Sequence, residues 1–462
     1  MSPRTRSVPV APGALPGVGH AWALLRSPLD FVGSLPEHGD LVEVRLGPFR
    51  TYVPCHPELL WQVLTDDRTF DKDGALYVKV RAVAGNALPL CARRDHRRQR
   101  RLIQPAFHRD RIEQFSTVMV DEITALTSRW SDGQVVDIFS DLFDMAVRTV
   151  CRTLFSTSPT PAAAREFRRA LAVGLRGFLP GFLLPPRLER LPLPLIRHPR
   201  LMRGLLDARD LLLAAPRRPE DAGDDLIATL TSTGPDGCRA MTAQEIHEQI
   251  VPMISAGADT ATSALSWARY LLAQHPEAER RLHAEVDTEL GHGPARWGDL
   301  DRLPYTTRVL TETLRLYPPA WVMPRVTTAP ARLGRADLPV GASVLFCSAA
   351  VHRHPDVYAH PHTFDPDRWL PHRARALPRG AFVPFGAGPR KCIGDHYGTV
   401  EATLALATIA RRWQLGVHPR ADPRPAALGT VLTPRRLLMR VHARGGVNAH
   451  RNVPTRPTRD IG

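Results

Sequence analysis

One cysteine of this chain stands in a loop whose neighbours could hold its sulfur as a thiolate. The segment 385–394 surrounds Cys392 with three glycines, a proline, an aromatic ring and the cations of Arg390 and Lys391. Glycines let backbone N–H groups approach a buried sulfur without Cβ clashes, and nearby positive charge favours the thiolate over the thiol. A helical pattern begins just after Gly394, and the positive end of its dipole also favours negative charge there. The loop is therefore predicted to present a thiolate.

A second candidate stretch, Ala256–Trp267, lies in the middle of a long predicted helix. Thr242 and Glu245 form a capping box at its start, and the helical pattern continues to about Gln274. Inside this helix a glycine and small neighbours lower the helix stability, and Thr260 can hydrogen-bond back to the preceding turn. A flat ligand that passes close to the helix backbone would explain these residues. The common alternative is an acid and an alcohol on a polar helix face.

Charged side chains at helical spacing mark two further candidate sites. His96 and Arg100 are one turn apart and share a helix face, where the arginine could bind a carboxylate in bidentate fashion. Glu312 and Arg315 are three residues apart, a spacing that often gives a surface salt bridge worth less than about 1 kcal/mol. A solvated basic helix and an exposed ion pair are the alternative interpretations of these two sites.

The segment 385–394 fills every fixed position of the cysteine-loop signature of the cytochromes P-450, the heme-thiolate monooxygenases, and the chain resembles that family. The resemblance covers about residues 10 to 440 and includes four motifs in the family's order. Tyr397-Gly398 is a minor departure, because Phe-Ala is commoner there. A lone cysteine is usually a small buried hydrophobic residue. The complete motif favours an iron ligand instead.

The resemblance implies a heme b cofactor and assigns Cys392 as the axial thiolate ligand of its iron. A thiolate in that position donates electron density that favours O–O cleavage. The absence of a CxxCH sequence argues against covalently attached heme. The resemblance also implies which residues contact the heme: Phe385, Gly386, Arg390 and Gly394 in the cysteine loop, Ala256 in the long helix, and His96, Arg100 and Arg325 at the propionates.

The long helix resembles the distal helix of the family, which passes over the heme. Asp259 and Thr260 then correspond to an acid–alcohol pair that holds a water and relays protons to dioxygen, which is general acid chemistry. Glu312, Arg315 and Arg368 correspond to a buried structural network and not to reacting groups. Such a network loses roughly 3–5 kcal/mol when one charged partner is removed.

Within the family the chain looks most like actinobacterial terpene oxidases, which implies a small apolar substrate, a cyclic terpene. Such hydrocarbons have no polar group, so shape and apolar area must bind them. The apolar segment 174–196 is broken by Gly and Pro, is predicted not to form a long regular helix, and corresponds to the lid over the substrate entrance. The predicted substrate pocket consists of Phe178, Phe182, Trp321, Val322 and Val431. A fatty acid or a steroid is the alternative substrate.

The implied fold is mainly α with small β-sheets, the P-450 fold, shaped as a triangular prism with a long distal helix over the heme. The 462 residues exceed the usual size of one hydrophobic core, but a heme-thiolate fold is one large unit of this length. The predicted organisation is a flexible segment 1–18, a single catalytic domain 19–442 and a disordered basic tail 443–462. Alternating residues predict a hairpin over 41–54, and a short helix is expected over 57–64.

Composition limits the partners and the compartment. The formal charge is +15, but the basic residues are spread along the chain without a recognisable nucleic-acid module, so no nucleic-acid partner is expected. Six cysteines without a CxxC pair argue against a zinc site and a disulfide framework, and they fit a reducing compartment. No apolar run is long enough to span a membrane, and no signal-type segment opens the chain. A cytoplasmic protein without a membrane span is therefore expected.

The implied reaction inserts one oxygen atom of O2 into a C–H bond and reduces the other to water. Because no flavin or iron–sulfur reductase domain is fused to the chain, the expected electron source is a ferredoxin with a ferredoxin reductase that uses NAD(P)H. An acidic protein of this kind would dock on a basic face, and the oxygenase itself is expected to be a monomer. Two other classes stay open: a heme-thiolate protein that uses peroxide or rearranges its substrate, and a basic binding protein without catalysis. Retention of Asp259 and Thr260 argues against the first.

Overall fold

Helices dominate the fold, as seen in a computed structural model that describes residues 8–183, 198–216, 225–231, 240–426 and 431–445. The helices are α1 (Ala21–Arg26), α2 (Pro28–Ser34), α3 (Pro57–Thr65), α4 (Ala75–Ala84), α5 (Arg93–Ile103), α6 (Arg109–Thr127), α7 (Ile138–Phe155), α8 (Pro161–Leu183), α9 (His198–Leu213), α10 (Leu226–Thr231), α11 (Ala243–Gln274), α12 (Pro276–Glu289), α13 (Pro304–Leu316), α14 (Ser348–Val351), α15 (Pro371–Ala374) and α16 (Asp395–Arg412). None of the helices formed by these residues is both long and apolar enough to cross a bilayer.

The strands form small sheets beside the helices, so the expected mainly α fold with small β-sheets is confirmed. The strands are β1 (Leu41–Leu46), β2 (Phe49–Pro54), β3 (Phe70–Asp71), β4 (Val135–Asp137), β5 (Val322–Thr327), β6 (Ala331–Leu333), β7 (Ala336–Leu338), β8 (Ser343–Cys347), β9 (Trp413–Val417), β10 (Asp422–Pro425), β11 (Pro434–Arg436) and β12 (Leu438–Ala443). A five-stranded sheet has the order β1-β2-β8-β5-β3, and a three-stranded sheet has the order β4-β12-β9. The predicted hairpin is confirmed: β1 and β2 pair antiparallel from Leu41–Pro54 to Leu46–Phe49.

Helix α11, with 32 residues, organises the main core. It packs against α7, α13 and α16, and most of the buried apolar residues of these helices belong to one cluster. Its predicted capping box is confirmed, because Thr242 Oγ1 accepts a hydrogen bond from the Glu245 N–H at 3.2 Å and Glu245 Oε2 accepts one from the Thr242 N–H at 2.8 Å. The position of α11 is therefore fixed both by its cap and by its packing.

A buried ionic network joins α13 to the segment after α14. Glu312 and Arg315 are fully buried and form two hydrogen bonds of 2.8 Å, one through Nε and one through Nη2 of the arginine. Arg368 Nε and Trp369 Nε1 donate to the same carboxylate at 3.3 and 2.9 Å. Every charge in this group thus has a partner, which a buried charge requires.

The network reaches the cysteine loop through His352. Arg315 Nη1 donates to the His352 carbonyl at 2.9 Å, and the His352 ring Nε2 accepts from the Val383 N–H at 3.0 Å. Val383 in turn accepts from the Gly386 N–H at 3.0 Å. Burial lowers the pKa of His352 to about 3, so its ring is neutral and can accept this bond. The ionic network therefore fixes the start of the loop that carries Cys392.

The apolar segment 174–196 differs from the prediction in its first part. Helix α8 continues through Pro180 to Leu183. A proline inside a helix costs about 3 kcal/mol, but α8 packs along α9 and α7, and tertiary packing routinely overrides local propensity. The prediction of no long regular helix was wrong for residues 174–183, and residues 184–197 lie outside the described part of the chain.

Parts of both terminal segments contact the sheets or helices of the described structure. At the N-terminal end the Ala11 N–H donates to the Glu43 carbonyl at 2.9 Å, so part of the segment 1–18 is attached to β1. At the other end Ala443 closes β12, and Arg444 forms a 2.6 Å ion pair with Asp287. Residues 443 and 444, at the start of the predicted tail, therefore belong to the described structure. Residues 1–7 and 446–462 are outside the described ranges.

Candidate functional site

The cysteine loop is shaped by left-handed glycines. Gly386 and Gly388 have φ of 68° and 65°, and a Cβ at Gly388 would lie 2.5 Å from the Leu64 carbonyl oxygen. The Cys392 N–H donates to the Phe385 carbonyl at 2.9 Å and closes the loop. Helix α16 begins at Asp395, so the sulfur precedes a helix N-terminus as predicted.

The sulfur of Cys392 faces an internal cavity. The residue is exposed to this cavity but lies deep in the protein, so burial raises the pKa of its thiol. The backbone N–H of Gly394 and the cations of Arg100 and Lys391 act in the opposite direction. A metal cation at the sulfur would favour the thiolate outright, since a coordinating thiol is deprotonated.

Helix α11 forms the opposite wall of the cavity. Ala256, Gly257 and Thr260 line it, and Thr260 Oγ1 donates to the Ala256 carbonyl at 2.7 Å. A flat ligand is not the only explanation for a glycine at position 257. A Cβ at Gly257 would come within 2.7 Å of Val150 Cγ2 on α7. Close packing of α11 on α7 therefore requires the small residue as well.

Asp259 is next to Thr260 but is absent from the described cavity lining. Burial raises the pKa of its carboxyl to about 7. No hydrogen bond or ion pair to another described side chain offsets this burial. The carboxyl can therefore exist in both protonation states near neutral pH.

Basic residues gather at one edge of the cavity. The described lining contains no Asp or Glu, and its basic members are Lys72, His96, Arg100, Arg325, Arg390 and Lys391. His96 and Arg100 reach the cavity from α5, as their one-turn spacing predicted. Arg325 reaches it from β5 and is buried. Burial and the surrounding cations lower the pKa of His96 to about 3, so its ring is neutral. Lys72 and Arg325 are buried, and buried positive charge calls for an anionic ligand.

Two residues of this edge were missed by the sequence analysis. Lys72 is buried, its Nζ donates to the Pro89 carbonyl at 2.7 Å, and burial followed by Arg325 and Arg390 holds its pKa well below the ordinary value. Asp71 joins three segments of the site. The Phe-Asp-Lys sequence 70–72 shows no helix or strand periodicity that would assign these residues to a site. The only signal in the sequence is that two charged residues follow a buried phenylalanine.

The Asp71 carboxylate orients the cationic edge. Its Oδ1 accepts from Arg390 Nη2 at 2.7 Å and from the Lys72 N–H at 2.7 Å. Both oxygens lie within 3.1 Å of the Arg93 N–H in the first turn of α5. One side chain therefore holds together the cysteine loop, the helix of His96 and the segment of Lys72.

The predicted substrate pocket is not assembled as expected. Trp321 lies in the core cluster of α2 and the five-stranded sheet, and Val322 packs against that same cluster, not in the cavity lining. Strand alternation explains this: Met323 and Arg325 of β5 face the cavity, so Val322 faces away. Val431 is also absent from the lining. The side chains of Phe178 and Phe182 lie outside the described residues.

Apolar side chains complete the cavity, and they come from several elements at once. The described apolar lining includes Leu88, Phe107, Val150, Leu154, Met253, Ala261, Ala264, Leu310, Leu314, Met323, Phe346 and Phe385. A flat porphyrin with two carboxylates fits these walls. The small and apolar residues would contact its faces, the acid-free cationic edge would hold its carboxylates, and Cys392 would supply a sulfur ligand for its iron. The fold and this site together define a heme-thiolate protein.

A comparison of the sequence with protein-family models identifies the family to which the chain belongs. The sequence model described as Cytochrome P450 matches residues 9–440, and the chain belongs to this family. It is therefore a monooxygenase with heme b ligated by a cysteine thiolate, and its reaction uses O2 and a redox partner.

Three relatives match along most of the chain. Pentalenene oxygenase of Streptomyces avermitilis is 48% identical over 446 residues, which cover 96% of this chain and 99% of the relative. Cyclooctatin synthase of Streptomyces melanosporofaciens is 43% identical and covers 90% of this chain and 92% of the relative. Cyclooctat-9-en-7-ol 5-monooxygenase of the same organism is 42% identical and covers 88% and 90%.

Replacing Lys72 by methionine should change the stability of the heme-free and heme-loaded protein in opposite directions. Without an anion the buried ammonium is a cost, so the heme-free variant should unfold at a higher temperature than the wild type. With heme bound, loss of a charge-assisted hydrogen bond should speed heme transfer to apomyoglobin by roughly tenfold or more. Arg335→Met removes an exposed positive charge between β6 and β7, away from the described cavity lining, and this control should change neither quantity. Unaltered heme transfer in Lys72→Met would show that this ammonium does not contact the propionates.

Proposed function

We propose that this chain hydroxylates a cyclic terpene, and that the site residues named above hold heme for this purpose. The observation that carries the proposal is the identity of 42–48% with three relatives along at least 88% of the chain. The names of two of these relatives state an oxygenation of a specific compound. The cavity supports the same substrate class, because its cations are confined to one edge and the rest of its described lining is almost entirely apolar. An apolar cavity binds a hydrocarbon through shape and buried area.

The proposed roles follow from the positions of the side chains. Cys392 would ligate the heme iron through its sulfur, and Gly386, Phe385 and Gly394 shape the loop that presents it. The two heme carboxylates would be held by the basic residues of the cavity edge, which are Lys72, His96, Arg100, Arg325 and Arg390. Asp71 orients these basic side chains. Heme, when bound, supplies the activation of O2; the overall reaction consumes a C–H bond, O2, two electrons and two protons and gives an alcohol and water.

Asp259 and Thr260 supply the protons in this proposal. Thr260 Oγ1 lines the cavity, while the adjacent carboxyl has a pKa of about 7 and is withdrawn from it. The hydroxyl can hold a water in the cavity, and the carboxyl can accept a proton from the protein surface and release it inward. A group with a pKa near the working pH is well suited to both steps.

The electrons are proposed to come from a ferredoxin that binds near the cysteine loop. Lys391 is exposed beside Cys392, and the exposed Arg97 and Arg101 project from α5, which also carries Arg100. Arg100 hydrogen-bonds the Lys391 carbonyl, so these exposed cations lie on adjoining segments. An acidic partner would be steered to such a face. In this proposal the oxygenase acts as a cytoplasmic monomer that meets its reductant by diffusion.

A binding-spectrum screen tests the substrate class. Purified heme-loaded protein is titrated with cyclic sesquiterpene and diterpene hydrocarbons, fatty acids and steroids, and the Soret band is followed. A spin-state shift is expected with a terpene hydrocarbon, followed by a hydroxylated product when ferredoxin, its reductase and NAD(P)H are added. A response to fatty acids or steroids with none to terpenes would contradict the proposed substrate.

Thr260→Ala should uncouple NAD(P)H use from product formation. Loss of the hydroxyl that holds the water should lower product per NAD(P)H by about tenfold or more, because positioned general acids contribute at least this much. Thr262→Ala is the matched control: Thr262 is on the same helix and fully buried, and it does not line the described cavity. Product formation limited by proton delivery should also fall as pH rises through about 7, and Asp259→Asn should abolish this inflection. Unchanged coupling in Thr260→Ala would remove the residue from the proton path.

A further inference from the structure

An exposed apolar patch surrounds the tip of the β1–β2 hairpin. Its members are Leu15, Val18, Trp22 and Phe49, which are 47%, 48%, 58% and 45% exposed. We call these four residues the hairpin-tip patch. A single large apolar side chain with this exposure is common on protein surfaces. A group of such side chains marks an interaction surface.

Backbone contacts hold the four residues next to one another. The Gly47 N–H donates to the Val18 carbonyl at 3.1 Å, which places Val18 at the turn before Phe49. Leu15 bridges to Gly19, and Gly19 bridges to Leu46, the partner of Phe49 in the hairpin. The Ala21 N–H also donates to the Val18 carbonyl, so Trp22 follows directly in α1. These backbone contacts therefore bring the four segments that carry the hairpin-tip patch together on one side of the molecule.

The charge around the patch is positive. Arg26, Arg45 and Arg50 are exposed beside it. Arg45 and Arg50 both pair with the buried Glu43 at 3.0 and 2.5 Å, so one negative charge is shared between two guanidinium groups. The sequence contains no Asp or Glu from residue 1 to 29 or from residue 44 to 57. An excess of positive charge therefore accompanies the apolar side chains.

The adjacent sheet edge is not open to strand addition. β1 is the first strand of the five-stranded sheet, but the Glu43 N–H donates to the Pro9 carbonyl at 2.8 Å and its carbonyl accepts from Ala11. Residues 9–11 thus cover this edge. What the surface offers to a partner is projecting side chains, an indole and a phenyl ring among arginines, and not backbone hydrogen-bonding groups.

We propose that the hairpin-tip patch binds the surface of an anionic lipid bilayer. Aromatic side chains are stable at the headgroup level of a membrane, where one side is apolar and the other wet. Arginines beside them can form bidentate hydrogen bonds with lipid phosphates, and the negative surface potential attracts them. Binding of this kind is peripheral and reversible. It would place the enzyme at the membrane, the phase into which an apolar substrate partitions, although the binding itself does not depend on which substrate is used.

Vesicle co-sedimentation of the full-length heme-loaded protein tests this proposal. The wild type should sediment with vesicles that mix phosphatidylglycerol and phosphatidylcholine, sediment less with phosphatidylcholine alone, and be released by salt. The double variant Trp22→Ser/Phe49→Ser should bind the anionic vesicles at least about tenfold more weakly, since it loses the two largest apolar contacts. Leu211→Ser/Val340→Ser removes two side chains that are 54% and 60% exposed elsewhere, and this matched control should bind like the wild type.

Three results would overturn the proposal. The first is wild-type protein that stays in the supernatant with anionic vesicles. The second is equal binding by the patch variant and the control variant. The third is self-association of the wild type in sedimentation velocity that the patch variant abolishes, because the patch would then be an interface with a second copy. The heme Soret spectrum of each variant confirms that it is folded, which the exposed positions favour.

Discussion

The structure depends on keeping a cysteine thiolate in the protein interior, beside an apolar cavity. Burial alone would favour the neutral thiol, as the raised pKa of Cys392 shows. The chain opposes this with loop geometry: Gly386 and Gly388 adopt left-handed conformations, the Gly394 N–H interacts with the sulfur, and α16 begins three residues after it. The same loop is then fixed from outside by hydrogen bonds that run from Glu312 through His352 to Val383. This network therefore fixes the start of the loop that carries the sulfur.

A second constraint follows from the charge of the cavity edge. Several buried cations meet there without an acidic residue in the described lining, and Asp71 compensates only part of their charge. An arrangement of this kind destabilises an empty protein and is stabilised by an anionic ligand. We propose that stability and cofactor binding are coupled here, because a positive edge that holds the carboxylates of heme would also be stabilised by them.

The sequence predicted well whatever was carried by a motif or by helical periodicity. Cys392, Thr260, His96 and Arg100 meet around one cavity, because loop signature, capping box and one-turn spacing each determine a local geometry. Lys72 was missed, since a single lysine in an aperiodic segment gains its meaning only from Arg325 and Arg390, which are distant in sequence. Tertiary partners of this kind leave no local pattern.

The predictions that differ from the structure also failed because of tertiary contacts or strand geometry that single residue types do not reveal. Val322 was assigned to the pocket although strand alternation directs Met323 and Arg325 there, a period-two argument that the residue types alone obscured. The interruption expected at Pro180 does not end α8, because packing on neighbouring helices outweighs one lost hydrogen bond. The glycine in α11 was attributed to a flat ligand, whereas Val150 of the adjacent helix also demands it.

The most direct test of the account is the absorption spectrum of the reduced, carbon-monoxide-treated protein, recorded for the wild type and for Cys392→His. The wild type should show the red-shifted Soret band of thiolate-ligated heme, and the variant should lose it while retaining bound heme. A wild-type spectrum typical of imidazole ligation, or a thiolate-type band that survives the substitution, would show that residue 392 is not the iron ligand.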